Sequence, residues 1–413
     1  MAEANSAGPD PALIFLDRTD RPGTHVLLVG IGDYPWLEEG SKYVAEEHEE
    51  GALGMGQLAA PPISMRNLAD WFLDSFQNPE RPLASVSLIL SEKSPAKYEH
   101  ARRLPNTGAV PRGTLDEVRK AVIAWSKRAS GRRENSLVFG FCGHGLQAGN
   151  PVLLCRDYNE DAESRFQGAI DFEQFRIALS TRQPDTQLIL VDACRIPDLD
   201  DAQLGQATPG NPLIDLQSLT KRDNAPALQS VQFATSLYTE AWGRDEGPSL
   251  FTEALLKGLD GGAAEMTADW WVTSSRLHTV LTTYLARASS AEGVVQRPAA
   301  AQSQDFRICK PGPIAVDVYV SSVNEPAVWQ ERWRLKAMRP GFEKEFIHVP
   351  AAQPDPDFKE WKLRLINPTQ QPADVIYNVH ANFDQGSAFK DCVEPVIAYP
   401  PEVTCFLPVS KRP

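Results

Sequence analysis

Two short segments carry side chains whose types and placement suit covalent chemistry. One is Gly143-His144-Gly145, at the end of the apolar run from Ser136 to Phe141. The other is Asp192-Ala193-Cys194-Arg195, at the end of the run from Gln187 to Val191. Each run reads as a buried strand, so His144 and Cys194 would both lie just past a strand's C-terminal end. Parallel α/β sheets assemble their sites at that edge. A Cys and a His placed there alike form a candidate nucleophile and base.

The chemistry follows from the groups. A thiol attacks a peptide carbonyl as its thiolate. An imidazole within hydrogen-bond reach takes the proton and later hands it to the leaving amine. The oxyanion that forms needs preorganised donors. The backbone N–H of Gly145, unobstructed by a side chain, and that of Cys194 are the candidate pair. A bare Gly-His-Gly turn and a buried structural Cys are the plainer alternative. A zinc site from Cys142, His144 and Cys194 lacks a fourth ligand at sensible spacing, so no metal site is expected.

The elements that must position these groups can be traced along the chain. His25 to Ile31 reads as a strand, followed by Gly32-Asp33-Tyr34-Pro35. Leu37 to Gln57 reads as an acidic, solvated loop with six Glu, one Lys and four Gly. Its acids keep no metal-loop spacing. Ser64 opens a helix with Leu68, Trp71, Phe72 and Phe76 on one face. Ala84 to Leu90 is a second strand. Thr114 and Glu117 form a capping box before the stripe Leu115, Val118, Val122, Trp125 and Ala129. Asp171 caps another helix, with Phe172, Phe175 and Leu179 facing in. Residues 196–227 lose periodicity, a long structureless stretch of the kind that serves function or processing. A strand at 231–237 and helices at 249–257 and 275–288 follow.

The alternation of strands and helices stops near Gly312. Residues 314–413 carry β-like runs at 314–320, 361–366, 375–381, 396–399 and 403–409, a pattern that reads as a small β-sandwich. Trp329, Trp333 and Trp361 read as its core. The expected organisation is a lead-in at 1–23, an α/β domain at 24–311 and an all-β domain at 312–413.

Whole-chain properties narrow the partners. The 413 residues carry a formal charge of −13. Nucleic acid demands a basic face, and anionic membranes do too, so neither is expected as a partner. Basic protein segments suit such a field better. No run approaches the length of a membrane span, and the first dozen residues lack a signal-peptide pattern. The six cysteines are sparse and contain no CxxC pair. They read as reduced thiols, and a cytoplasmic location is expected.

Several segments resemble the caspase and metacaspase family of cysteine endopeptidases, in a prokaryotic-looking version. They are HVLLVGIGDYP (25–35), NSLVFGFCGHG (135–145), QLILVDAC (187–194), VQFATS (231–236) with Ala241, and SLFTEALLKGLDGGA (249–263). In the family's order they span about residues 24–310. The resemblance implies a three-layer α/β caspase-like sandwich with a mostly parallel sheet. It also implies a His144/Cys194 dyad that cleaves within polypeptides. It does not reach residues 314–413, for which recruitment of substrate, inhibition and binding of an activator are equally open.

Where caspases carry Gln-Ala-Cys, this chain has Asp192-Ala193-Cys194. That variant resembles the metacaspase branch, in which this acid helps bind a basic side chain before the scissile bond. A carboxylate beside the nucleophile attracts Arg or Lys and repels Asp. Cleavage after Arg or Lys is therefore expected, in protein or peptide substrates. The alternative role for Asp192 is to cap its turn.

Two departures from the branch stand out. The Asn-Asp pair usual early in its first helix is replaced by Ile63-Ser64-Met65-Arg66, without an acid. The small hydroxyl residue two before the His is replaced by Cys142. Asp33 is a candidate substitute in the pocket, or a turn former.

The stretch 195–230 lies where caspase relatives are processed. It offers Arg195, Lys221 and Arg222 for self-cleavage, or for an upstream activating protease. No cofactor is expected; the family analogy admits calcium, without ligand geometry to support it. A catalytically weak caspase-like scaffold that binds peptides is the competing reading, and an acyl-transfer activity on the same dyad is a third.

Overall fold

The computed structural model describes residues 10–17, 20–95, 97–105, 108–197, 209–215, 227–236, 246–302, 304–321, 327–328, 331–348, 360–367 and 375–413. The candidate self-cleavage residues Lys221 and Arg222, together with Ala241 and Trp329, lie outside them. The chain divides into two units. One comprises residues 1–256 and 277–309, the other residues 257–276 and 310–413.

The first unit is built on a seven-stranded sheet. Its strands are β1 (Leu13–Leu16), β2 (Thr24–Ile31), β3 (Leu83–Ser91), β4 (Ser136–Cys142), β5 (Thr186–Asp192), β6 (Leu228–Phe233) and β7 (Ala299–Gln302). They are ordered β1-β3-β2-β4-β5-β6-β7. The inner five run parallel. The edge strands β1 and β7 are antiparallel to their neighbours. β2 is buried along its whole length, and so is β5. Strands covered on both faces read as continuous apolar runs, which is why they stand out in the sequence. The path from β2 goes first to β3 on one side and then to β4 on the other. This reversal opens a crevice at the C-terminal ends of β2 and β4.

The described α-helices are, in chain order, α1 (Ala45–Ala52), α2 (Ala60–Asp74), α3 (Leu115–Ala129), α4 (Phe172–Ser180), α5 (Leu250–Lys257) and α6 (Ser274–Ala291). The expected stripe of α3 is buried throughout, and Trp125 Nε1 donates to the His25 carbonyl at 3.0 Å. Both halves of the Thr114–Glu117 capping box form. Thr114→Ala should therefore lower stability by about 1 kcal/mol, read as a fall in the melting temperature with unchanged far-UV circular dichroism. Asp171 caps α4 by accepting from the Gln174 N–H at 2.9 Å.

Two local expectations change. α2 begins at Ala60, before Ser64, because Pro61 and Pro62 occupy its first turn, where proline's fixed φ and missing N–H are tolerated. The acidic stretch 37–57 is not simply a solvated loop. It contains α1, and Leu37 and Ala52 join the buried core while His48 is 5% exposed. The glutamates face outward and the apolar residues between them anchor the segment.

Among the described residues of 310–413, seven strands form two sheets. They are β8 (Ile314–Ser321), β9 (Trp333–Arg339), β10 (Phe342–His348), β11 (Glu360–Asn367), β12 (Ile376–Phe383), β13 (Cys392–Ile397) and β14 (Glu402–Phe406). Their orders are β11-β8-β14 and β10-β9-β12-β13. The β9–β10 hairpin was not expected. Its turn is Pro340-Gly341, with Gly341 at φ +74°, and its outer positions carry charges such as Lys336 and Glu343, 3.0 Å apart. Trp333 is fully buried and stacks on Phe383 at 5.3 Å.

Candidate active site

The register of the central sheet levels the two reactive residues. β4 and β5 are parallel, with Cys142 beside Asp192. The Gly143 N–H continues the pairing onto the Asp192 carbonyl at 3.1 Å. His144 and Cys194 each follow two residues beyond that matched pair, on strands spaced about 4.8 Å apart. Gly145 packs directly on the main chain of Cys194. A Cβ there would stand 2.8 Å from the Cys194 carbonyl oxygen and 2.9 Å from the Ala193 Cβ. Only glycine allows that approach.

His144 is fixed from three directions. Its main-chain N–H donates to the Tyr34 hydroxyl at 2.8 Å. The Tyr34 ring lies 4.8 Å from the imidazole, centroid to centroid. Its Nε2 is 2.8 Å from the Gly56 carbonyl oxygen. A carbonyl only accepts, so Nε2 must carry the proton. In the neutral ring Nδ1 then holds the lone pair and is the basic atom. Burial pushes the pKa of His144 down to about 4, against a smaller raising effect from the Gly56 bond. The imidazole is therefore neutral, and able to accept a proton, at physiological pH.

Three thiols lie in this region, and exposure separates them. Cys142 and Cys155 are buried, and burial pushes both thiols well above the ordinary range. Cys194 is half-buried. Of the three it is the one with access to solvent.

Asp192 ends β5, two residues before Cys194. It is 5% exposed. Its Oδ2 accepts from the Ser249 hydroxyl, from the Thr252 hydroxyl at 3.2 Å and from the Cys142 thiol at 3.5 Å. Burial raises its pKa to about 6, with the three donors opposing the shift. Ser249 also caps α5, accepting from the Thr252 N–H at 3.0 Å. Ser64 Oγ accepts from the Ser249 N–H at 3.0 Å. The stretch that lacks an acid thus supplies a hydroxyl to the same group of residues. Cys142 likewise touches Asp192.

The other candidate residues are engaged elsewhere. Asp33 is held between Arg112 at 2.8 Å and Arg156 at 2.9 Å. Its carboxylate is matched by two guanidiniums and does not join the group around Asp192. Arg195 lies over the Phe233 ring at 4.4 Å, with its Nε 3.4 Å from Gln147 Oε1.

Sequence reasoning gave no role to Gly56, Tyr34, Ser249 or Thr252. Ser249 could have been found from the cap spacing to Thr252. Gly56 acts through its main chain and leaves no signal in residue type. Among the described residues, no three His, Cys, Asp or Glu side chains converge on a metal-sized site. No helix among them is long and apolar enough to cross a membrane.

Known proteins share parts of this chain. The model of the caspase domain family matches residues 107–305, which include both reactive residues and Asp192. The uncharacterized protein y4kE of Sinorhizobium fredii is 24% identical over 214 residues, covering 47% of this chain and 58% of y4kE. The chain thus spans less than two thirds of that relative. The crystal structure of caspase-1 from Spodoptera frugiperda aligns with 69% of this chain and 90% of its own at 12% identity and a TM-score of 0.38.

Proposed function

We propose that the chain, whose residues 107–305 match the model of the caspase domain family, is a cysteine endopeptidase cutting proteins after Arg or Lys. The observation that carries the proposal is the level placement of His144 and Cys194 past two paired strands, with Gly56 selecting the basic nitrogen. In this reading His144 Nδ1 takes the Cys194 Sγ proton as sulfur bonds to the scissile carbonyl carbon. The N–H groups of Gly145 and Cys194 face the resulting oxyanion. The imidazolium then protonates the leaving amine as the C–N bond breaks, which leaves a thioester. Water, deprotonated by His144, attacks the thioester; the carboxylic acid departs and the Cys194 thiol regains its proton.

Asp192 would receive the basic side chain before the scissile bond. Among the described residues its three side-chain bonds all go to Oδ2, so Oδ1 would take the guest. Incubation with a mixed protein substrate, with Cys194→Ala as control, tests the whole reading. New peptide ends after Arg and Lys, absent from the control, are expected. Identical patterns for the two proteins would remove it and leave a binding scaffold. The same spectra should contain fragments of the chain itself ending at Arg195, Lys221 or Arg222. An intact 195–230 segment in an active preparation would refute self-processing.

A further inference from the structure

The imidazole is held at two places, its main chain and its Nε2, and both lead back to one residue. At the first, the Tyr34 hydroxyl accepts the His144 N–H and donates to the Leu154 carbonyl at 3.2 Å. The second runs through Gln57, which follows the carbonyl that holds Nε2. The Gln57 side chain grips the Tyr34 main chain with both ends of its amide. Its Oε1 accepts from the Tyr34 N–H at 2.9 Å, and its Nε2 donates to the Tyr34 carbonyl at 2.9 Å. The same Nε2 donates to the Glu38 carbonyl at 3.0 Å. Main-chain bonds flank this fork, from Leu58 N–H to the Gly32 carbonyl at 2.9 Å and from Glu38 N–H to the Met55 carbonyl at 3.0 Å.

We propose that Tyr34 and Gln57 are positioning residues that clamp the imidazole, Tyr34 holding the main chain of His144 and Gln57 holding the Gly56 carbonyl against its Nε2–H. The inference rests on the reading of His144 as the base. Its physical content is tautomer selection. With the carbonyl in place, Nε2 keeps the proton and Nδ1 is left to act. With the carbonyl displaced, the two neutral forms approach equal stability and part of the population carries its proton on the wrong nitrogen.

The clamp is tested on the intact chain by nitrogen NMR of histidine-labelled protein. His144→Ala identifies the His144 resonances among those of the seven histidines. In the parent protein His144 should be the Nε2–H tautomer alone. Gln57→Ala should turn it into a mixture and lower kcat roughly tenfold, the usual loss for an orienting partner, with KM within about twofold. Tyr34→Phe retains the main-chain atoms that Gln57 grips. It should keep the single tautomer while kcat falls, since the His144 N–H loses its acceptor. Should Gln57→Ala fail to fold, Gln57→Met fills the same space without the three bonds and should give the mixture. A folded Gln57 variant that keeps one tautomer overturns the clamp. If no form of the protein cuts peptides, the peptidase reading fails, and the tautomer comparison still decides the clamp.

Discussion

Cys194→Ala should lower kcat/KM for a basic peptide by roughly 10⁴-fold or more, and His144→Ala should do nearly as much; the double variant should be no worse than either single one. The reason is that the two side chains act in one step. Without the imidazole the thiol keeps its proton, and without the thiol the imidazole has nothing to activate. Kinetics of the three variants on one fluorogenic Arg peptide check this. Losses that multiply in the double variant would show that the two residues work independently, and would break the dyad. Alkylation with iodoacetamide gives a second reading of the same site. Cys194 should react before Cys142 and Cys155, both of which are buried with thiols held protonated.

Asp192→Asn should cost roughly 30- to 5,000-fold in kcat/KM on an Arg peptide, the range for losing one partner of a buried charge pair, and much less on a peptide with a neutral residue there. The pH profile carries the sign. The Asp192 pKa is raised to about 6, so the free enzyme gains the charge that binds Arg only as pH rises through that value. The kcat/KM for Arg peptides should therefore fall as pH drops below about 6, before His144 protonates near 4. In Asp192→Asn the limb near 6 should vanish and leave the lower one. An unchanged limb near 6 in that variant would assign it to another group. With Oδ2 occupied, a guanidinium cannot engage both oxygens freely, so Arg and Lys peptides should differ little.

The parts of this chain that were legible before folding are those whose physics is local. β2, β4 and β5 are buried on both faces, so their apolar runs announce parallel strands. The cap of α3 is spelled by Thr114 and Glu117, which bond to each other's backbone. His144 and Cys194 stood out as candidates because both follow such strands. What stayed hidden depends on distant pairing. Ser249 and Thr252 meet Asp192 across 57 and 60 residues of sequence. The docking of α1 rests on a few apolar residues among six glutamates. The β9–β10 hairpin alternates faces as a strand should, but small Ala337 and the charges beside it mute the pattern.

The acceptor on His144 Nε2 belongs to the peptide group of residue 56, and every amino acid owns such a carbonyl. Its identity is thus free to drift so long as the chain still passes that point. Between Leu37 and Gly56 it is the length and path of the segment, with the Gln57 side chain at its end, that keep the carbonyl in place. Removing or adding a residue there should disable the base more surely than replacing any of the glutamates.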